Sequence, residues 1–128
     1  MISPGGSPTF RPASVLVADD DAGVRYVVQW ALESQGLNVR CVATSADAIS
    51  SLRVGLPDLL LLDLTMPVHG GSAVADDLHS RGVSVPILVI TGDGHAPEKA
   101  RAIGAYGYLH KPFEIDELLK AVNKGLAS

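Results

Sequence analysis

The chain has 128 residues, a formal charge of −4 and an apolar fraction of 47%, which suit one folded domain with its own core and argue against disorder. The negative charge and the scatter of its ten basic residues argue against nucleic acid as the direct partner, because phosphate binding needs a basic face. No apolar run approaches the roughly 20 residues of a membrane helix, so no membrane association is expected. The single cysteine, Cys41, excludes an internal disulfide and fits a reducing cytoplasm.

The first twelve residues, "MISPGGSPTFRP", are rich in Pro, Gly and Ser. They lack the basic start and the long apolar stretch of a signal peptide. The sequence therefore predicts a flexible tail over residues 1–12 and one folded domain over residues 13–128.

Beyond this tail, apolar runs of strand length alternate with segments of helical period. The predicted strands fall at 15–18, 37–42, 59–62, 86–90 and 108–110. The predicted helical segments fall at 24–32, 44–52, 71–80, 97–103 and 115–126. Five strands and five helices joined by short loops predict an α/β domain with one parallel sheet that is covered on both faces.

Right-handed crossovers leave few topologies for such a chain, and the doubly wound order 2-1-3-4-5 suits its length. This order places the first and third strands side by side. Ligands bind such sheets at the carboxyl ends of the strands, at the point where the strand order reverses. The functional site is therefore expected at that edge.

Polar side chains end the predicted strands at this edge. The run "VLVADDD" leads from an apolar strand into Asp19 and Asp20, the third strand ends at Asp63, the fourth at Thr91, and Lys111 follows the fifth. Carboxylates this close repel one another unless a cation lies among them, and oxygen ligands without His or Cys suit Mg²⁺. The pattern predicts a magnesium site where Asp63 attacks phosphorus while Lys111 and Thr91 stabilise the phosphoryl oxygens.

Four segments, "VLVADDD", "PDLLLLDLTMP", "PILVITG" and "GYLHKPF", resemble in order and spacing the motifs of a response-regulator receiver domain, which has a flavodoxin-like fold. The resemblance covers roughly residues 13–127. It implies a signalling switch and not an enzyme, phosphorylated by a histidine kinase or a phosphotransfer protein. It also implies an output partner, or an output domain beyond this chain, which the sequence does not name.

The resemblance assigns roles to the residues of the acidic edge. Asp63 would be the phosphorylated aspartate and a magnesium ligand. Asp20 would bind Mg²⁺ directly, Asp19 mainly through water, and Thr65 through its backbone carbonyl. Lys111 would pair with the phosphoryl group.

The resemblance also implies a conformational switch. Thr91 and Tyr108 match the family's switch pair, in which the Thr moves toward the phosphoryl group and the aromatic ring turns inward. Asp93, two residues beyond the switch Thr, would affect the attacking water and so modulate the lifetime of the phosphorylated state. The bond between Lys111 and Pro112 matches the family's usual cis peptide.

Two other functions stay open at this point. A haloacid-dehalogenase-type phosphohydrolase would use Asp19 as nucleophile and Asp21 as acid or base, because the two form an Asp-x-Asp after the first strand. That scheme leaves Asp63 without a role, and Asp21 also fits the N-cap of the first helix. The second alternative is a receiver-like interaction module that is not phosphorylated. The identity of the phosphorylated aspartate separates these hypotheses.

Overall fold

The computed structural model describes residues 11–66 and 70–127, so the predicted tail over residues 1–12 lies outside it except for its last two residues. Strands and helices alternate along the described chain, in the order β1 (Ser14–Ala18), α1 (Ala22–Glu33), β2 (Asn38–Val42), α2 (Ser45–Val54), β3 (Leu59–Asp63), α3 (Ser72–Ser80), β4 (Ile87–Thr91), α4 (Ala96–Ala102), β5 (Gly107–His110) and α5 (Ile115–Leu126). The strands form one parallel sheet in the order β2-β1-β3-β4-β5. This confirms the predicted α/β fold and strand order. Among the described helices, none is both long and apolar enough to span a bilayer.

The two central strands extend one residue further than the apolar pattern predicts. Asp63 is the last residue of β3 and pairs with Ile90, and Thr91 is the last residue of β4 and pairs with His110. Hydrophobic patterning detects the side chains and not the backbone ladder, so it ends a strand at the first polar residue. The backbone ladder thus fixes both polar side chains at the edge of the sheet.

Alternate residues of β3 enter two separate cores. Leu60 and Leu62 pack in the core beneath α2, α3 and α4, while Leu59 and Leu61 pack in the core beneath α1 and α5. A strand with period-two side chains is buried on both faces only when helices cover both sides of the sheet. Asp63 is therefore presented by a strand that is packed from both sides.

Two apolar residues of the predicted helical segments, one in 24–32 and one in 115–126, are partly exposed. The side chain of Val27 on α1 is 43% exposed and that of Ile115 on α5 is 37% exposed. Ile115 is the first residue of its helix, where less of the chain packs around it. Val27 lies on a groove between α1 and the segment after β5, so its apolar face meets a cavity instead of a neighbouring side chain.

Gly71, just before α3, allows the chain to pass close to the end of β3. A Cβ at this position would lie 2.5 Å from the carbonyl oxygen of Asp63 and 2.9 Å from the Cα of Leu64. Because both are backbone atoms, no rotamer change relieves the clash. Gly71→Ala is expected to lower the free energy of unfolding by about 1–3 kcal/mol, measured by urea denaturation.

Gly55 is the matched control for this substitution. A Cβ at Gly55 would meet nothing within 4 Å, and its backbone is extended, so Gly55→Ala is expected to be neutral or slightly stabilising. Equal unfolding free energies for the two variants would show that the backbone near Gly71 relaxes freely.

Candidate functional site

Three carboxylates meet where β1 and β3 end. One carboxylate oxygen each from Asp19, Asp20 and Asp63 lies within 4.8 Å of the others. Asp19 and Asp63 are fully buried, whereas Asp20 is exposed. β1 and β3 are neighbours whose last paired residues are Ala18 and Leu62, so the residues that follow lie side by side. The structure thus brings together the acidic residues that the strand ends indicated.

Lys111 reaches this cluster from the segment after β5. Its Nζ lies 2.8 Å from Asp19 Oδ2 and 3.4 Å from Asp63 Oδ2. Burial lowers the pKa of Lys111, but the hydrogen bonds and charges of the two carboxylates outweigh burial and leave that pKa raised. The ammonium is therefore charged at neutral pH, and it offsets only part of the negative charge of the cluster.

Asp63 is held by the residue two positions along the chain. Its Oδ1 accepts hydrogen bonds from the backbone N–H of Thr65 at 2.9 Å and from the Thr65 hydroxyl at 2.7 Å. Burial raises the pKa of Asp63, but these bonds and the charge of Lys111 outweigh it, so the pKa lies below its ordinary value of 3.8. Asp63 is therefore ionised at neutral pH. The apolar pattern gave no sign of the hydroxyl contact.

Asp19 lies in a less favourable setting. Its Oδ1 accepts one backbone hydrogen bond, from the N–H of Asp21 at 2.8 Å, and its Oδ2 is compensated by Lys111 alone among the described residues. Burial, together with the charge of Asp63, raises the pKa of Asp19 above 3.8 despite these contacts. A buried carboxylate with so little compensation, in a cluster without His or Cys, has the donor chemistry of a site for a hard divalent cation such as Mg²⁺.

The loop between β1 and α1 has two further contacts. Asp21 caps α1 as predicted, because its Oδ1 accepts the backbone N–H groups of Gly23 at 2.8 Å and Val24 at 3.2 Å. Arg25 donates from Nη1 to the backbone carbonyl of Asp19 at 2.8 Å, a contact that the sequence did not indicate. The helix cap thus uses the carboxylate of Asp21, which the phosphohydrolase scheme would need as its acid or base.

The remaining candidates lie on β4, β5 and the loop after β4. Thr91 is buried, and its hydroxyl oxygen accepts the backbone N–H of Asp93 at 3.0 Å. Tyr108 is 47% exposed on β5, so its side chain lies largely outside the core. The backbone N–H of Lys111 donates to the carbonyl of Thr91 at 2.8 Å, and the bond from Lys111 to Pro112 is cis, as predicted. Thr91 and Lys111 are thus joined through the backbone at the same edge.

Comparison with protein families matches residues 15–123 to the response regulator receiver domain. The match covers most of the chain and includes every residue of the acidic edge. The chain belongs to the response regulator receiver domain family, as its four sequence segments indicated.

The curated relatives are larger regulators. The chain is 34% identical over 115 residues to the DNA-binding transcriptional regulator NtrC of Escherichia coli (strain K12), a match that covers 88% of this chain and 24% of that protein. It is 36% identical over 110 residues to the response regulator MprA of Mycobacterium sp. (strain KMS), covering 84% of this chain and 48% of that protein. The chain thus spans less than half the length of either relative.

Solved structures include receivers of about the same length. The chemotaxis response regulator CheY4 of Vibrio cholerae is 31% identical with a TM-score of 0.82, and the match covers 91% of this chain and all of that one (100%). The receiver domain of the Francisella response regulator 1452 is 25% identical with a TM-score of 0.83, covering 90% and 97% of the two chains. Both agree with the doubly wound fold.

Proposed function

We propose that residues 13–128 form a phosphoacceptor domain in which Asp63 takes a phosphoryl group from a histidine kinase or a phosphotransfer protein. The observation that carries this proposal is the setting of Asp63. It is a buried carboxylate with a lowered pKa, it ends a strand packed on both faces, and it lies beside two further carboxylates and one ammonium. These are the groups that phosphoryl transfer to a carboxylate requires.

The two oxygens of Asp63 have different tasks in this proposal. Thr65 engages Oδ1 with two hydrogen bonds, which leaves Oδ2, the oxygen nearer Lys111, to attack phosphorus. As the new O–P bond forms, the bond between phosphorus and the donor's histidine nitrogen breaks, and its electron pair leaves with the nitrogen. The ammonium of Lys111 offsets the negative charge of the phosphoryl oxygens.

Asp19, Asp20 and Asp63 would hold Mg²⁺ in this domain, with the backbone carbonyl of Thr65 as a further ligand. The bound ion would supply Lewis-acid stabilisation of charge on the phosphoryl oxygens. The raised pKa of Asp19 supports this assignment, because a buried carboxylate that is costly to ionise becomes favourable beside a divalent cation.

Signal output would depend on Thr91 and Tyr108. The hydroxyl of Thr91 would exchange the N–H of Asp93 for the phosphoryl group, and the exposed ring of Tyr108 would turn inward. Asp93 would modulate hydrolysis by water. Phosphorylation adds negative charge at Asp63. If the phosphoryl group stabilises one of two conformations by a few kcal/mol more than the other, this suffices to shift the population between them. The domain would act as a cytoplasmic switch for an output partner or output domain, and not as an enzyme.

The kinase or phosphotransfer protein would dock on α1. A groove of about 620 Å³ lies beside Lys111, and Val24, Val27 and Phe113 line it. On the same helix Tyr26 is 75% exposed and Trp30 is 59% exposed. An apolar groove beside Lys111, on a helix that also exposes two aromatic side chains, suits a partner that must bring its histidine to Asp63.

Mapping the phosphorylated residue tests this proposal. The protein is incubated with acetyl phosphate and Mg²⁺, treated with borohydride to convert aspartyl phosphate to homoserine, and digested for tandem mass spectrometry. We expect homoserine at position 63. Homoserine at position 19 would indicate the phosphohydrolase scheme, and its absence from every aspartate would indicate a module that is not phosphorylated.

A further inference from the structure

An ion pair fastens the loop after β4 to helix α4. Lys99 on α4 places its Nζ 2.7 Å from Asp93 Oδ2, and Asp93 Oδ1 accepts the backbone N–H of His95 at 2.8 Å. The side chains of Lys99 and Asp93 are 41% and 33% exposed. The hydrogen bond from Lys99 is the largest influence on the carboxyl of Asp93 and holds its pKa below the ordinary value. Both oxygens of this carboxylate are therefore engaged.

The same residue also contacts the switch threonine. The backbone N–H of Asp93 donates to the hydroxyl oxygen of Thr91 at 3.0 Å, and Thr91 is fully buried at the end of β4. The Thr91 hydroxyl must break this bond if it is to turn toward a phosphoryl group on Asp63. Since the Asp93 carboxylate is fixed by Lys99, the backbone N–H that holds Thr91 is restrained from a helix outside the acidic edge.

We propose that Lys99 is a positioning residue that, through Asp93, holds Thr91 in its unphosphorylated conformation and so opposes occupation of the phosphoryl site. The inference rests on the proposed function of Asp63 and Thr91. The inference predicts a change in anion affinity on loss of Lys99 that is opposite to the change expected from the charge of the lysine alone. A lysine that acts by charge alone favours an anion at Asp63, so its loss weakens anion binding. A lysine that restrains the loop disfavours the anion-bound conformation, so its loss strengthens binding.

Beryllofluoride with Mg²⁺ is the probe, because it mimics an aspartyl phosphate without turnover. Its affinity is measured by NMR titration of the labelled protein. Lys99→Gln is expected to bind beryllofluoride about two- to fivefold more tightly than wild type, the range expected for loss of one partly exposed ion pair. Arg101→Gln removes the same charge from the same helix and is the matched control, with affinity equal to or slightly below that of wild type.

Two further variants separate the restraint from the charge of Asp93 itself. In an Asp93→Asn background, which lacks the ion pair, adding Lys99→Gln is expected to produce no further tightening. Lys99→Arg keeps the charge and is expected to retain the wild-type affinity. In the absence of beryllofluoride, the amides of Asp93 and His95 are expected to exchange with solvent faster in Lys99→Gln than in wild type.

The outcomes distinguish this inference from the function on which it rests. If wild type binds beryllofluoride at Asp63 but Lys99→Gln binds equally or more weakly, the restraint is wrong and the phosphoacceptor function stands. If wild type itself does not bind, the phosphoacceptor function and the restraint both fail.

Discussion

Asp63→Asn is expected to reduce labelling by acetyl phosphate and Mg²⁺ to background. An amide oxygen is a far weaker nucleophile than a carboxylate, and the substitution also removes one of three clustered carboxylates. The fold is expected to persist, because the amide oxygen can still accept the two hydrogen bonds from Thr65. Stability at neutral pH is expected to fall modestly, because the amide loses the ion pair with Lys111. The measurement is the mass of the intact protein during the reaction, with urea denaturation to verify folding.

Asp21→Asn is the matched control for this loss. Asn caps helices about as well as Asp, so the bonds to Gly23 and Val24 can persist. The variant is expected to be labelled at close to the wild-type rate. The phosphohydrolase scheme makes the opposite prediction, because there Asp21 is the acid or base and Asp63 has no role. Labelling that survives in Asp63→Asn would therefore contradict the proposed function.

The fold and the location of the site could be predicted because they depend on backbone regularities. β3 and β4 are short apolar runs, so their parallel arrangement and two-sided burial follow from the alternation with helices. In a parallel sheet all strands end at the same edge, which places Asp19 beside Asp63 whatever the side chains do in detail. The convergence of these residues needed only the strand order.

Side-chain contacts across loops could not be predicted. The bond from the Thr65 hydroxyl to Asp63, the bond from Arg25 to the carbonyl of Asp19, and the ion pair of Lys99 with Asp93 depend on rotamers and loop paths that leave no periodic signal. The opposite pKa shifts of Asp19 and Asp63 have the same origin. Both carboxylates are buried, but only one has two hydrogen bonds from Thr65.

Asp19→Asn is expected to stabilise the protein in the absence of Mg²⁺. Since the pKa of Asp19 is raised, the folded state binds its proton more tightly than the unfolded state, and stability falls as pH rises from 3.8 through the raised value. Asn removes this cost, which comes chiefly from burial of the charged group and to a lesser extent from the charge of Asp63. The variant should therefore gain about 1–2 kcal/mol at neutral pH, the scale of burying an incompletely compensated polar group. The gain should vanish as pH falls toward 3.8. The lowered pKa of Asp63 has the opposite effect on stability, because the stability that ionised Asp63 contributes is lost as pH falls. Asp63 is present in both wild type and Asp19→Asn, so this effect does not distinguish them.

Adding Mg²⁺ is expected to make wild type more stable than Asp19→Asn, which reverses their order in the absence of the ion. At a hundred times its dissociation constant, a ligand that binds only the folded state adds about 2.7 kcal/mol to wild type, whereas a variant with one carboxylate fewer gains much less. Urea denaturation with Mg²⁺ and with chelator measures both effects. Asp76→Asn, which removes an exposed carboxylate from α3, should show neither. An equal gain from Mg²⁺ in Asp19→Asn and wild type would mean that Asp19 takes no part in binding the ion, so the cost of its buried charge would need another explanation.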